Sequence, residues 1–521
     1  MMEQINLKNS IAFPESGYIN VTDKNTQKLS QLILGLPATN ILGTTDKDIR
    51  EVVYDSRKSS AGSLFVAVPG KNWDGGVFIK DAIAKGASAF ITQIPFDSLS
   101  RFDLRSSNVT ALCVADSRKA LSIVSTNFYC HPSERIALTG ITGTNGKTTT
   151  SYILEALFMA RGMRTGIIGT INYHYGNKKV STPVTTPESL DLNRILNEMI
   201  EDKVENCFLE VSSHALKQSR VHGMHFNVGI FTNLTRDHLD FHGDMENYKN
   251  AKKKLFLRNH VQKKIFNIDD LAGQEFAKEF KTDSFTTGID SNADFKAEDI
   301  VLKKSGCQFS LKTPFGTGKI HSNLLGRHNI YNLLSAAAGA MVQNISLEKI
   351  QEVYRHIQPI PGRFENIYND LGFSVLVDYA HTDDALSNAI SSAKAFTQGK
   401  LIVVFGCGGE RDRGKRIPMG QVVLNKADFS VITSDNPRKE DPAQIIKDIL
   451  QGIPSSAQKG ADYTVIINRQ EAIEYAINLA SQNDLVLIAG KGHETYQVLG
   501  TQTIHFDDRE VARSALRKRS H

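Results

Sequence analysis

Eleven residues restrict the possible folds of this chain more than any other stretch: Thr139-Gly-Ile-Thr-Gly-Thr-Asn-Gly-Lys-Thr-Thr149. They follow a short apolar run, Ile136-Ala137-Leu138, that reads as a buried strand. They lead into 148–161, where Ile153, Leu154, Leu157 and Phe158 mark one helical face. Gly162 stands where such a helix stops. Strand, glycine loop and helix in that order make a phosphate cradle. The glycines let backbone N–H groups approach phosphate oxygens, and the helix N-terminus adds positive potential. Lys147 can reach the β- and γ-phosphates, and the Thr148 hydroxyl can ligate Mg²⁺. The spacing departs from the common phosphate loop, because Ile141 stands five residues before Gly146 where a glycine is usual. The Lys-Thr pair at the helix start separates the segment 143–149 from an ordinary glycine turn, and ATP is the expected ligand.

The rest of the composition narrows the class. At 521 residues the chain has room for about three domains. A net charge of +5 without a lysine-arginine block gives no footprint for nucleic acid and suits an acidic small-molecule substrate. Five cysteines, at 113, 130, 207, 307 and 407, show no metal-binding spacing and read as reduced thiols. No apolar run approaches the ~18 residues that span a bilayer, and residues 1–10 carry no signal-peptide core. A cytoplasmic location, without membrane insertion and without nucleic acid, is the expectation.

Taken in order, residues 1 to 26 are polar and aperiodic, a loose lead. An α/β pattern follows, with strands at 52–54, 64–68 and 89–91 and a helix at 77–85. Asp55-Ser56-Arg57 and Gly70-Lys71-Asn72-Trp73-Asp74-Gly75 close two of these strands, which suits either ligand binding or plain turns. The pattern breaks around Tyr129-Cys130-His131-Pro132. In the middle segment a strand at 208–211 delivers Glu210, Ser212 and His214 to one strand end, facing the phosphate loop. A carboxylate so placed suits Mg²⁺, which takes one or two carboxylates together with phosphate oxygens. Asp237, His238, Asp240 and His242 crowd the next strand end, and Lys252, Lys253 and Lys254 follow on a helix where they must point three ways. By itself that lysine run reads as an exposed basic face. Asn329 and Asn332 share one face of an alanine-rich helix.

Pro359-Ile-Pro-Gly-Arg363 marks a second break. Beyond it, short continuous apolar runs at 375–378, 401–405, 429–433, 464–467 and 485–489 predict a buried, mostly parallel sheet. Polar clusters end these runs: Asp378-Tyr-Ala-His381, Gly406 to Asp412, Asp435-Asn-Pro-Arg438, Arg469, and Gly490-Lys-Gly-His-Glu494. Clusters at the carboxyl ends of strands in one sheet predict a second ligand-binding rim. The tail 508–519 reads as a solvated helix.

Together these motifs resemble the Mur ligases, ATP-dependent amide-forming enzymes of peptidoglycan precursor synthesis. The match runs from about Val52 to Glu510. The phosphate loop is shared with folylpolyglutamate synthetases, whereas Glu210-Val-Ser-Ser-His214, Thr235-Arg-Asp-His-Leu-Asp240 and Asp435-Asn-Pro-Arg438 are more specific. The resemblance implies an α/β fold in three domains: a smaller N-terminal α/β domain (1–133), a central P-loop-type ATPase domain with a mostly parallel sheet (134–356) and a C-terminal Rossmann-like domain (357–521). It implies addition of meso-2,6-diaminopimelate to UDP-N-acetylmuramoyl-L-alanyl-D-glutamate through an acyl phosphate; a monomer is a separate expectation. By resemblance, Gly143, Thr144, Asn145, Gly146, Lys147, Thr148 and Thr149 bind ATP, with Asn329 and Asp378 also in contact with it. Thr148, Glu210 and His214 stand at Mg²⁺, and Lys252 matches the family's carbamylated lysine, whose added carboxylate helps hold the metal. Lys147, Glu210, His214 and Lys252 are thus the expected catalytic set.

Ser56, Lys71, Asn72 and Trp73 match the uridine-nucleotide end of the substrate site, and Thr185, Thr186, Ser212, Gln218 and Arg220 its muramoyl-dipeptide end. Arg411, Asp435, Asn436, Pro437, Arg438, Gly490 and Glu494 match the diaminopimelate pocket. Diaminopimelate differs from lysine by one carboxylate. A guanidinium offers that group two parallel hydrogen bonds and repels the ammonium lysine would present, so Arg438 disfavours a lysine-adding ligase. The N-terminal Asp55-Ser56-Arg57 segment disfavours folylpolyglutamate synthesis, and the intact acidic and lysine groups disfavour a nucleotide-binding regulator. Two departures from the family stand out: Asp383 where proline is usual, and a longer lead before Asp55.

Overall fold

The computed structural model describes residues 26–70, 74–102, 108–182, 184–257 and 261–520. The expected loose lead and the predicted Lys71, Asn72 and Trp73 lie outside the described residues. The chain separates into two compact units, 1–128 and 129–521.

In the first unit, β1 (Ala38–Leu42), β2 (Glu51–Val53), β3 (Ser63–Val66), β4 (Ala89–Thr92) and β5 (Thr110–Val114) form a sheet in the order β1-β5-β4-β3-β2. Pairing is parallel from β2 to β5, and β1 joins antiparallel at the edge. Val53, Phe65, Phe90 and Ala111 pack one face against Ile79 and Ala82. The helix expected at 77–85 starts as a tighter turn at Gly75–Phe78 and becomes α only at Ile79–Ala84. Asp74, whose carboxylate accepts from the Gly76 N–H, caps that tighter start. Helix α1 (Ser117–Phe128) completes the unit.

The second unit holds two large sheets. The first contains β6 (Ala137–Thr142), β7 (Thr165–Ile168), β8 (Tyr173–Tyr175), β9 (Lys178–Val180), β10 (Asn206–Glu210), β11 (Phe226–Phe231), β12 (Val261–Asn267), β13 (Ser284–Gly288), β14 (Phe295–Lys303), β15 (Gly306–Thr313) and β16 (Gly316–Ser322). Their order is β9-β8-β7-β10-β6-β11-β12-β13-β14-β15-β16. The block from β7 to β14 is parallel, so the carboxyl ends of β6, β7, β10 and β11 share one edge. Neighbouring residues go to opposite faces. Phe208, Ile230 and Ile265 join one core cluster, while Leu209, Phe231 and Phe266 join another. Two covered faces are why these strands read as unbroken apolar runs rather than alternating ones. Helices α2 (Lys147–Met159) and α3 (Arg327–Met341) cover the first face, where α3 is built of small residues that allow close packing. The antiparallel extension β14 to β16 was not anticipated, because its strands alternate polar and apolar residues over a solvated face.

The second sheet contains β17 (Glu365–Asn366), β18 (Ser374–Asp378), β19 (Leu401–Phe405), β20 (Phe429–Ile432), β21 (Tyr463–Val465) and β22 (Leu485–Ala489), in the order β17-β18-β22-β19-β20-β21. All pairs but β17–β18 are parallel. Leu376, Val403 and Leu487 face one cluster, and Val375, Ile402 and Val486 face the other. Helix α4 (Asp383–Lys394) begins at Thr382, whose hydroxyl accepts from the Ala385 N–H. Asp383, the departure from proline, occupies the first helical position, where a carboxylate suits the helix dipole. A hairpin, β23 (Tyr496–Leu499) and β24 (Gln502–His505), follows the sheet. The last helix, α5 (Asp508–Ser520), is not the solvated element expected from its charge. Ala512, Ala515 and Leu516 are buried in the core, and Asp508 is 0% exposed against Arg469. Four buried residues among thirteen were masked in the sequence by the arginines and lysines between them.

Candidate active site

The phosphate loop leaves β6 at Thr142 and enters α2 at Lys147. Gly143 has φ +153°, and a Cβ there would fall 1.8 Å from the Thr232 hydroxyl. Gly146 has φ +88°, and a Cβ there would meet the Asn332 side chain at 2.3 Å. Only glycine fits either place. The loop is fastened from β11's end: Asn233 accepts from the Thr144 and Asn145 N–H groups at 2.9 Å, and the Thr232 hydroxyl donates to the Asn145 carbonyl at 2.6 Å. Among the described residues no side chain caps α2, so its first N–H groups remain available to an anion. The Lys147 ammonium folds back onto the Gly143 and Thr144 carbonyls, both at 2.9 Å. Burial lowers its pKa, the Glu210 carboxylate opposes this, and the Arg363 charge adds to it.

Glu210 ends β10 beside this loop and is 0% exposed. Its carboxylate accepts from the Thr148 hydroxyl at 2.9 Å, the Thr170 hydroxyl at 2.8 Å and the Thr170 N–H at 3.0 Å. A buried carboxylate ringed by hydroxyl groups is a hard oxygen donor set that fits Mg²⁺. Among the described residues no three His, Cys, Asp or Glu side chains gather closely enough to hold a metal by themselves. A cation here would therefore complete its shell with phosphate oxygens and water.

Beyond Glu210 lies a cluster of rings. His214 stacks on Phe241 with centroids 4.1 Å apart and meets His238 edge-on at 4.8 Å. Burial lowers the His214 pKa, and holds His242 down at about 4 with help from His214 and Lys252. Burial would raise the Asp237 carboxyl, but His238, His381 and Lys415 outweigh it and hold the group at about 2. The three adjacent lysines separate as helical geometry demands. Lys252 is 1% exposed, with its ammonium 4.5 Å above the Tyr248 ring. Lys253 pairs with Glu279 at 2.6 Å, and Lys254 is exposed. The basic-face reading therefore fails for Lys252. Burial, together with the like charge of Lys147, pushes its pKa far down and favours the neutral amine.

The second rim is built at the ends of β18, β19, β20 and β22. Asp378 accepts from the Phe364 and Ala380 N–H groups at 2.7 and 2.9 Å, which ties the connection between the sheets to the rim. Arg438 has φ +52°, its Nη1 donates to the Gly409 carbonyl at 2.8 Å, and its backbone pairs with the β23–β24 hairpin. Lys491 is 0% exposed and donates to Asn436, Glu494 and the Tyr496 carbonyl at 3.2, 3.0 and 2.6 Å. Asn436 in turn donates to Glu494 at 2.8 Å. Gly490 has φ +117°, and a Cβ there would lie 2.8 Å from the Asp435 carboxylate.

Both rims line one cavity of about 1020 Å³. Its walls include all of 143–149, Glu210, His214, Lys252, Asn329 and Asp378, together with Arg411, Asp435, Asn436, Arg438, Gly490 and Glu494. Thr185, Ser212 and Arg220 also face it. Three predicted residues of the second unit do not. Thr186 is 0% exposed, its hydroxyl bonded to the Glu210 carbonyl at 2.7 Å and the Ser212 N–H at 3.0 Å, so it pins the strand end instead of meeting a ligand. Gln218 holds the Arg220 guanidinium at 2.7 Å from behind. Pro437 is buried, its carbonyl accepting from the Glu440 N–H, and it supports Arg438 without lining the cavity. Ser56 lies in the first unit, 6% exposed, with its carbonyl accepting from Lys85 at 3.1 Å.

Several wall residues escaped sequence reading. Thr170 lies beyond a strand end in a segment without a motif. Arg363 donates to the Thr148 hydroxyl at 3.0 Å and sits 4.4 Å over the Tyr379 ring, yet in the sequence it was part of a proline-glycine break. Lys415 lies three residues past a quoted polar cluster.

A family match accords with this architecture. The family described as "Mur ligase family, catalytic domain" matches residues 48–129, "Mur ligase middle domain" matches 141–340, and "Mur ligase, glutamate ligase domain" matches 362–492. The chain belongs to the Mur ligase family. Within it, the chain is 42% identical over 490 residues to the UDP-N-acetylmuramoyl-L-alanyl-D-glutamate–2,6-diaminopimelate ligase of Clostridium botulinum, covering 94% of this chain and 99% of that one. It is 44% identical over 494 residues to the enzyme of the same name from Clostridioides difficile, covering 94% and 100%. A solved structure of a ligase with that name superposes with a TM-score of 0.67 at 31% identity, covering 95% of this chain and 100% of the other. No helix among the described residues is long and apolar enough to cross a membrane.

Proposed function

We propose that this chain is an ATP-dependent ligase of peptidoglycan precursor synthesis that joins meso-2,6-diaminopimelate to UDP-N-acetylmuramoyl-L-alanyl-D-glutamate. The observation that carries this reading is the single cavity of about 1020 Å³ shared by a phosphate loop with Lys147 and a rim with Arg438 and Glu494. The names of the relatives support the substrate choice. The working division is 1–133 for the UDP-substrate, 134–356 for ATP and 357–521 for the amino acid.

ATP transfers its γ-phosphoryl group to the free carboxylate of the D-glutamyl residue, giving an acyl phosphate and ADP. Phosphoryl transfer depends on positioning and charge neutralisation. Lys147, swinging from the Gly143 and Thr144 carbonyls to the phosphates, supplies a cation. Arg363, already at the Thr148 hydroxyl, supplies another. Mg²⁺ held by Thr148, Glu210, His214 and carbamylated Lys252 would add further neutralisation. The buried, charge-suppressed amine of Lys252 supports carbamylation, since only a neutral amine attacks CO₂. Asn329 and Asp378 contact ATP. Ser56, Lys71, Asn72 and Trp73 hold the uridine end, and Thr185, Ser212 and Arg220 the muramoyl-dipeptide end, with Thr186 and Gln218 supporting them. Diaminopimelate is held by Arg411, Asp435, Asn436, Arg438, Gly490 and Glu494, with Pro437 supporting Arg438, and its amine attacks the acyl carbon. Phosphate then leaves the tetrahedral intermediate. The cavity walls limit water, which would otherwise hydrolyse the acyl phosphate.

Phosphate release measured across a panel of amino acids tests the reading. Release should require ATP, the UDP-substrate and diaminopimelate together. Release with lysine in preference to diaminopimelate, or release without the UDP-substrate, refutes it.

A further inference from the structure

Arg363 stands beside the phosphate loop with little to hold it. Among the described residues its guanidinium donates one hydrogen bond, to the Thr148 hydroxyl at 3.0 Å, and makes no ion pair; its Nε is buried without a hydrogen-bond partner. The remaining support is the face of Tyr379, with the guanidinium carbon 4.4 Å from the ring centroid. Tyr379 follows the end of β18 in the second sheet, whereas Thr148 belongs to the first turn of α2. A ring face attracts a cation through its quadrupole yet carries no net charge. It therefore fixes the guanidinium without neutralising it, as a carboxylate would. The ring is itself held fast. His381 meets it at 4.7 Å and His493 at 4.9 Å between centroids. Burial lowers both imidazole pKa values, to about 4 and about 3, so neither adds a competing charge near pH 7. Burial also pushes the Tyr379 phenol up, so the ring stays neutral. Behind it, a Cβ at Gly492 would fall 2.7 Å from the Tyr379 Cβ and 2.6 Å from the Gly362 carbonyl. The ring, the loop 490–494 and the connection that carries Arg363 thus interlock.

We propose that Tyr379 is a positioning residue for phosphoryl transfer: its ring face holds the Arg363 guanidinium, charge intact, beside the phosphate loop. This rests on the ligase reading above, in which Arg363 helps to neutralise the migrating phosphoryl group. Tyr379 acts through Arg363, and its hydroxyl is not required. Apolar packing alone would be served as well by leucine, whereas a stacked guanidinium needs an electron-rich ring.

The test measures hydroxamate formation, in which hydroxylamine traps the acyl phosphate made from ATP and the UDP-substrate. Wild type is compared with Tyr379→Phe, Tyr379→Leu, Arg363→Met, the Tyr379→Leu/Arg363→Met double variant, and Tyr379→Phe carrying one, two or three ring fluorines. Tyr379→Phe should stay within about threefold of wild type, and Tyr379→Leu should lower kcat about 5- to 30-fold. Arg363→Met should lose about 100-fold or more. The double variant should match Arg363→Met within about twofold, because a residue that works through Arg363 has nothing left to position. Each added fluorine drains the ring face while keeping its shape, so kcat should fall stepwise toward that of Tyr379→Leu. The fluorinated rings report even where Tyr379→Leu fails to fold. A flat fluorine series overturns the proposal. So does a Tyr379→Phe loss equal to that of Tyr379→Leu, which assigns the role to the hydroxyl, or a double variant whose losses multiply, which assigns it to packing alone. Wild type that forms no hydroxamate refutes the ligase reading instead.

Discussion

Replacing Arg438 isolates amino-acid choice from the phosphoryl step. In the structure its Nη1 is committed to the Gly409 carbonyl at 2.8 Å, which leaves Nη2 and Nε as the fork presented to a carboxylate. Charge-assisted hydrogen bonds contribute about 1.5–3 kcal/mol each, and part of the pair is shared with water at a half-buried site. A net loss of about 3 kcal/mol follows for Arg438→Ala, or about 150-fold in kcat/KM for diaminopimelate. Arg438→Lys keeps the charge without the fork and should recover little of it. The backbone provides an internal control. At φ +52° a side chain is strained, so Arg438→Gly should unfold at higher denaturant than Arg438→Ala while losing the same activity. Steady-state kinetics with diaminopimelate and lysine, alongside ATP-analogue binding, provide the assay. ATP-analogue binding should stay within about twofold. Diaminopimelate kinetics within about threefold of wild type in Arg438→Ala would refute the reasoning, as would a variant that still rejects lysine as strongly.

Other perturbations reach different parts of the molecule. Arg469→Met strands Asp508, 0% exposed, without the bonds at 2.7 Å that it now accepts, and should cost about 3–5 kcal/mol in denaturant unfolding. Glu210→Gln, or chelation of divalent ions, should abolish hydroxamate formation, and restored Mg²⁺ should rescue only the chelated wild type. Burial holds His381 at about 4 and His493 at about 3, below their unfolded values, so the unfolded chain binds more protons in acid. Their penalty is absent above about pH 6.5 and grows as pH falls toward 4, so thermal stability should decline across that window; a flat profile contradicts it. Lys252→Met should lose activity without loss of fold, since it removes a buried amine that makes no ion pair among the described residues.

Legibility in the sequence followed the physics of each element. Buried parallel strands announce themselves as unbroken apolar runs. That is why Leu401–Phe405 and Leu485–Ala489 could be read to the residue, and why the clusters after them marked a rim. The phosphate loop was equally plain, because Gly143 and Gly146 admit no substitute. Half-solvated elements carried less signal: β14 to β16 alternate like surface, and α5 hides Ala512, Ala515 and Leu516 among basic residues. Motifs also do not reveal which member of a pair faces a ligand. Thr185 and Thr186 are adjacent and chemically alike, yet one lines the cavity and the other is sealed inside. Arg363 acquires meaning only from long-range packing, since it stands beside Thr148, far away in the chain.

The Arg469–Asp508 bond reaches further than helix packing. Besides Asp508, the Arg469 guanidinium donates to the Ala489 carbonyl at 2.9 Å and the Ser434 carbonyl at 3.4 Å, the residues just ahead of Gly490 and Asp435. Helix α5 is thus the foundation beneath the loops proposed to hold the amino acid. Trimming the chain back to a globular-looking end near residue 507 would loosen amino-acid selection before it unfolded the sheet. A fusion that leaves 508–520 intact keeps that footing, which makes this short basic helix the first thing to preserve in any shortened version of the protein.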